Sequence, residues 1–160
     1  MVSAEDLIKG TKSTTLNPRI ELRQLYDSIN QELVTLNQKG RKINTCAERI
    51  MKSLDTIEQA KASQSSMSEL KINSAIPTLK AANHDIILQI NESTDEVLPN
   101  LMRKMERIGK IVDQYPESAD DSFQKQVAEQ YNKIEEGHQF ITDVRRFLET
   151  VDMRQRIYLK

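Results

Sequence analysis

The sequence predicts an all-α chain, an elongated antiparallel three-helix bundle or coiled coil. Three observations carry that prediction. The 160 residues include only four Gly and four Pro, and aromatics make up 4%, with no Trp. Scarcity of turn residues and bulky rings suits long helices joined by thin seams better than a thick globular core. Apolar residues recur at alternating spacings of three and four over most of the length, the period of one helix face. Strict two-residue alternation is absent, so no sheet is expected.

Residues 1–16 read as a flexible arm, because "GTKSTT" lacks periodicity and is rich in small polar residues. Asn17-Pro18 supplies a helix start, an Asn cap followed by Pro at the first helical position. The first helix is expected over about 18–60. Its seam reads Leu22, Tyr26, Ile29, Leu33, Leu36, Gly40, Ile43, Ala47, Ile50, Leu54 and Ile57. Leu22, Ile29, Leu36, Ile43, Ile50 and Ile57 stand seven residues apart in an unbroken series, a heptad repeat too long for chance. A helix of about 36 to 40 residues would measure roughly 55–60 Å, against roughly 30 Å for an ordinary domain of this size. Gly40 and Ala47 are small at seam positions and would let a partner helix approach, or Gly40 would mark a kink.

"KASQSSMS", Lys61 to Ser68, is the expected first loop. The second helix is predicted over about 69–113, with a seam through Ile72, Ile76, Leu79, Asn83, Ile86 or Ile87, Ile90, Thr94, Val97, Leu101, Met105, Ile108 and Val112. Pro99 falls in its middle, where a missing backbone donor and a clash with the preceding turn predict a kink or short break near Val97. "DQYPESADD" then makes a turn. The third helix is expected over about 118–158, with Ser118 as a plausible cap. Its stripe reads Phe123, Val127, Tyr131, Ile134, His138, Ile141, Val144, Leu148 and Val151.

Charge and chemistry exclude several classes. Twenty-three basic residues against 24 acidic, net −1, give no bulk attraction for nucleic acid. The longest apolar run, Ile86 to Leu88, is far too short to span a membrane. The single cysteine, Cys46, precludes an intramolecular disulfide, and "MVSAEDLIKG" lacks the apolar core of a signal peptide. These features predict a cytoplasmic protein. The two histidines, His84 and His138, have no set of companions at metal-ligand spacing. No catalytic residue, metal site or cofactor is expected. The stripe is the one strong signal. It serves either a self-sufficient bundle or an obligate partner, and Leu25, Val34, Leu98 and Met102, apolar residues flanking the seams, are the expected partner contacts.

"PNLMRKMERIGKI" from Pro99, "AEQYNK" from Ala128 and "HQFI" from His138 resemble the small-subunit family of the dynactin shoulder, dynactin subunit 3. Met105, Arg107, Ile108 and Ile111 match a Leu-x-Arg-Leu-x-x-Ile pattern of that family. Glu129, Tyr131, Asn132 and Lys133 match a Glu-x-Tyr-Asn-Lys element, and Gln139 and Phe140 a Gln-Phe pair. Leu25, Tyr26 and Ile29 give a fainter echo. The resemblance covers residues 99–141 and, faintly, 18–36, with spacings differing by a couple of residues near Asp113–Asp121 and before Gln139. It implies a non-enzymatic subunit that packs with dynamitin and the large, microtubule-binding subunit, supporting dynein-driven transport and cell division at the cytoskeleton (centrosome, kinetochore and spindle). A second stretch, "VRRFLETVD" from Val144, is similar to the last helix of a BAG domain, which binds the chaperone Hsp70. "KIEEGH", Lys133 to His138, is too acidic for that contact surface. Subunits of a vesicle tether or a kinetochore complex share the same patterns.

Overall fold

Asn17 opens the first helix as its pairing with Pro18 requires: its side chain accepts the Arg19 N–H at 2.9 Å, and Pro18 occupies the first turn without losing a hydrogen bond. The structure, a computed structural model, describes residues 17–159. The expected arm, residues 1–16, lies outside them. Helix α1 spans Pro18–Ser63, 46 residues and about 69 Å long, unbroken through Gly40. It ends at Gln64, which takes the left-handed conformation with φ 47°. The hydroxyl of Ser68 accepts the Ser65 N–H at 2.9 Å and packs beside the Ser63 hydroxyl at 3.1 Å, closing the turn into α2, Ser68–Glu92.

Beyond Glu92 the chain widens into a π-helical turn, Ser93–Val97, before α3, Leu98–Gln114. There the Leu98 N–H reaches the Ser93 carbonyl, five residues back. The widened turn answers Pro99, which has no N–H and cannot fit the regular ladder. The hydroxyls of Ser93 and Thr94 donate to the Gln89 and Ile90 carbonyls at 2.8 and 2.9 Å, supplying donors where the ladder is disturbed. The helical rod continues through the expected break. A 3₁₀ turn, Pro116–Ser118, leads to α4, Asp121–Gln155. Its cap is Asp120, whose side chain accepts the Phe123 N–H at 2.8 Å, and not Ser118, whose hydroxyl donates to the Tyr115 carbonyl within the 3₁₀ turn. A final 3₁₀ turn covers Arg156–Tyr158. No strand occurs among the described residues.

The three rods form an all-α bundle running up, down and up. Interhelical pairs fix the directions. Glu21 meets Arg107, Glu32 meets Lys104 and Lys39 meets Glu92, so α1 and the α2–α3 rod are antiparallel. Asn30 meets Gln130 and Glu58 meets Arg154, so α1 and α4 are parallel. All six residues of the heptad series, Leu22 through Ile57, are buried, as are Leu33 and Leu54; Tyr26 is half-buried. Each such Leu or Ile contributes roughly 1.5–3 kcal/mol.

The closest helix pairing is that of α1 with α2, whose backbones run together more extensively than any other pair. Buried small residues stand seven apart on both: Cys46, Ser53 and Ala60 on α1, Ser68, Ala75 and Ala82 on α2. Gly40 is not a contact point of this kind, because a methyl group added there would meet nothing within 4 Å. Gly137 on α4 is. A Cβ there would fall 2.7 Å from the Leu36 Cδ2 and 3.7 Å from a Leu98 methyl. The α4 seam therefore departs from the expected stripe at two places. Tyr131 and His138 are exposed, and Gln130 and Gly137 take the inward positions. The Gln130 amide nitrogen is paired there, donating to the Tyr26 carbonyl at 2.9 Å and to the Asn30 Oδ1 at 2.8 Å, while its Oε1 is buried without a hydrogen-bond partner among the described residues. A second buried amide pair joins α2 to α4: Asn83 Nδ2 donates to Gln155 Oε1 at 2.8 Å, and Gln155 Nε2 donates back to Asn83 Oδ1 at 3.0 Å.

Two predictions follow from this packing. Gly40→Ala and Gly109→Ala fill open space in helix interiors and should each stabilise the protein by about 0.5–1 kcal/mol. Gly137→Leu should destabilise it by about 1–3 kcal/mol through overpacking against Leu36. Urea midpoints measure all three, and equal responses at the three glycines would contradict the packing described. Asn83→Ala should cost about 1–3 kcal/mol because it orphans the buried Gln155 amide, whereas Asn83→Leu with Gln155→Leu should recover most of that loss. A double variant no better than the single one would show that the amides do not act as a pair.

Candidate partner-binding surface

The four flanking residues expected to meet a partner do not lie on one face. Leu98 is 2% exposed and sits in the core, close to Leu36 and to the site of Gly137. The π-helical turn just before it alters the helix phase, so a position that reads as flanking in a regular helix points inward. Leu25 and Met102 are half-buried against the core edge. Val34 alone stands out, 56% exposed.

Val34 belongs to a groove between α1 and α4. Its widest part encloses about 830 Å³ and is bordered by Tyr26, Leu33, Val34 and Ile43 from α1 and by Lys133, Phe140 and Ile141 from α4. Toward the C-terminal end of both helices the groove continues over Ala47, Gln139, Val144 and Phe147, then over Met51, Asp55 and Gln59. From Tyr26 to Gln59 this is about 50 Å of α1. The groove exists because the α4 seam carries Gly137 where α1 presents Leu36, and Gly40 opposite offers no side chain to fill the space. Periodicity alone did not reveal it. The glycines that shape it and the half-buried Phe140 and Phe147 at its wall were legible as residue types but not as neighbours.

Ion pairs clamp the ends of the bundle. Arg107 grips both Glu21 oxygens at 2.8 and 2.9 Å, and this contact raises the arginine pKa. Lys104 donates to Glu32 at 2.7 Å and to the Ser28 hydroxyl at 2.6 Å. Arg154 binds Glu58 at 2.8 Å and Asp55 at 3.3 Å. The Arg154 hydrogen bond holds the Glu58 carboxyl below the usual glutamate range, against a smaller desolvation effect. The Lys61 ammonium donates to the Tyr158 hydroxyl at 2.6 Å.

Among the described residues the histidines and the cysteine stand apart from one another. His84 and His138 are exposed on separate helices. Cys46 is a buried packing residue, and burial pushes its thiol pKa up, away from a reactive thiolate. Among the described residues no group of three His, Cys, Asp or Glu side chains is placed to hold a metal ion, and no helix is long and apolar enough to cross a membrane. No protein-family model matches the chain, and no curated protein or solved structure does.

The Glu58–Arg154 contact makes a pH prediction. A lowered carboxylate pKa contributes stability that is complete above the ordinary glutamate value of about 4.3 and disappears as pH falls through the lowered value. In an NMR titration the Glu58 carboxyl should show a midpoint below those of unpaired surface glutamates, and Arg154→Ala should return it to their range. A midpoint unmoved by Arg154→Ala would remove the arginine as the cause.

Proposed function

We propose that this chain is a non-enzymatic scaffold subunit of a larger helical assembly, in which a helix of a partner chain lies along the α1–α4 groove. The observation that carries this reading is the groove itself, open for about 50 Å, polar and apolar in equal measure at its widest part and mainly apolar toward Phe147. A single partner helix fits such a trough as an amphipathic helix fits any apolar groove, through anchors three and four residues apart. Charged residues at the rim, Arg41, Lys133 and Glu136 among them, would then set the register of the incoming helix.

The assembly we propose is the dynactin shoulder, with dynamitin and the large microtubule-binding subunit as partners and the cytoskeleton as its place. Two features support it together. The resemblance rests on Tyr26, Lys133, Gln139 and Phe140 among its matched residues, and all four border the groove. Tyr131, matched as well, is 45% exposed and so is free to contribute to an external contact. In this reading the bundle has no catalytic role, and its cysteine and histidines are packing and surface residues.

Coexpression with dynamitin and the large shoulder subunit tests the proposal. A ternary complex should elute as one species whose molar mass, by light scattering, includes this chain. Val34→Asp should keep the helical circular dichroism signal and weaken the complex by about thirtyfold, the loss of about 2 kcal/mol expected of a buried interface residue. A complex indifferent to Val34→Asp and to Tyr131→Asp would overturn the groove assignment. Failure to bind either dynactin subunit, with faster nucleotide release from Hsp70 instead, would replace the dynactin reading by the BAG-like one.

A further inference from the structure

The opposite side of the α1–α2 pair carries a second groove, unrelated to the first in chemistry. Its floor is Ser53 and Ala75, both buried small residues of the seam where the two backbones draw together. Its walls carry Arg49, Lys52 and Lys71, the hydroxyls of Thr56, Ser74 and Thr78, and Leu70, which is 62% exposed. The groove encloses about 520 Å³. No acidic side chain among the described residues lines it. Glu48 and Asp55 lie on the α4 side of α1, which Lys52 and Thr56 also border, and there Asp55 meets Arg154. Asp85 lies on the groove's face of α2, two turns beyond Thr78 and outside the lining.

Elsewhere in the bundle Lys39, Lys104, Arg107 and Arg154 are each paired with a carboxylate of another helix. Arg49, Lys52 and Lys71 converge from two helices without an ion pair. Lys42, seven residues before Arg49, extends the same face. Like charges held together destabilise a surface unless an anion relieves them. The exposed Leu70 and the small floor add an apolar element that a bare polyanion does not use.

We propose that this groove docks an acidic helical segment of a partner protein, about two turns long, with carboxylates toward Arg49, Lys52 and Lys71 and one apolar side chain over Ala75 against Leu70. The stretch of α1 from Arg49 to Thr56 is about 10 Å long, which sets the two-turn length. The wall hydroxyls donate to the carboxylates left outside the direct ion pairs. Lys52 and Thr56 border both grooves, and the proposal does not need the dynactin reading.

The probe is a fluorescein-labelled peptide of about 14 residues built on a Glu-Glu-Leu-Ala repeat, about 21 Å long as a helix. Its binding to the full chain is followed by anisotropy. At about 50 mM salt it should bind in the range of tens of micromolar, and at about 0.5 M salt at least tenfold more weakly. Arg49→Glu, Lys52→Glu and Lys71→Glu together should reduce affinity at least tenfold with the circular dichroism spectrum unchanged. Leu70→Ala should weaken this peptide by severalfold and leave a leucine-free Glu-Ala peptide unaffected. Val34→Asp, on the other groove, should change nothing. Absence of binding, or binding indifferent to the triple reversal, overturns the proposal. Equal binding of the leucine-free peptide, or displacement of the probe by phosphatidylserine vesicles at equal charge, also overturns it, in favour of diffuse attraction to anions or a lipid surface. Should the triple variant unfold, the Leu70→Ala and salt comparisons on the intact chain decide the question.

Discussion

Cys46, Ser53 and Ala60 on α1 and Ser68, Ala75 and Ala82 on α2 are small, buried and spaced by seven, and much of the bundle's geometry descends from their meeting. Small side chains let two helix backbones approach closely, so backbone atoms make the dispersion contacts that larger side chains would otherwise make. The larger residues are displaced to the flanks of that seam. Ile50, Leu54 and Ile57 on α1 and Leu79 and Ile86 on α2, all fully buried, then form the bed on which α4 lies. Two helices drawn together this tightly leave one groove on each side. The α4 helix fills one of them. The other stays open and carries Arg49, Lys52 and Lys71.

The third helix meets a different problem. It must lie parallel to α1, and along its seam it carries two residues that contribute little hydrophobic energy, Gln130 and Gly137. Each is specific where a Leu would be strong. Gln130 donates to the α1 backbone and to Asn30, contacts available at one axial position only. Gly137 lets Leu36 come so near that any Cβ there would require the Leu36 side chain to shift. The Asn83–Gln155 pair repeats the device between α2 and α4. A heptad seam of Ile and Leu alone tolerates sliding by a heptad, and buried amides and a single close contact penalise every register but one.

This division explains what was legible in the sequence. The all-α class and the full run of α1 follow from Leu22 through Ile57, because a strict apolar period survives any detail of packing. The disturbance near Val97 was legible in Pro99, and its form, a π-helical turn that keeps the rod continuous, was not. That turn changes the helix phase and moves Leu98 from the flank to the core. Tyr131 and His138 read as seam residues because an apolar period favours a ring over the adjacent Gln130 and Gly137. The choice between neighbours one residue apart rests on partners in another helix, the Tyr26 carbonyl and the Leu36 methyl, which no local pattern contains. The small-residue heptads were in view as letters, yet Cys46, Ser53 and Ala75 carry too little hydrophobicity to register in a search for stripes.

The same reasoning separates what holds the bundle together from what remains available to other chains. Ion pairs clamp α1 to α3 at Glu21 and Glu32, and α1 to α4 at Glu58, at positions open to solvent where screening leaves each pair a small share of the stability. They orient helices that apolar burial already holds. The surface left over is not uniform. Along α1 and α4 it is a long trough, mixed in polarity where Asn37, Arg41 and Asn44 line it and apolar toward Phe140 and Phe147, and behind α1 and α2 it is short and cationic. Shortening Leu36 or filling Gly137 would alter that trough and the core together. The contact that registers α4 on α1 is therefore also the contact that shapes the surface offered to a partner, so any chain seated in the trough would report on, and reinforce, the register of the bundle beneath it.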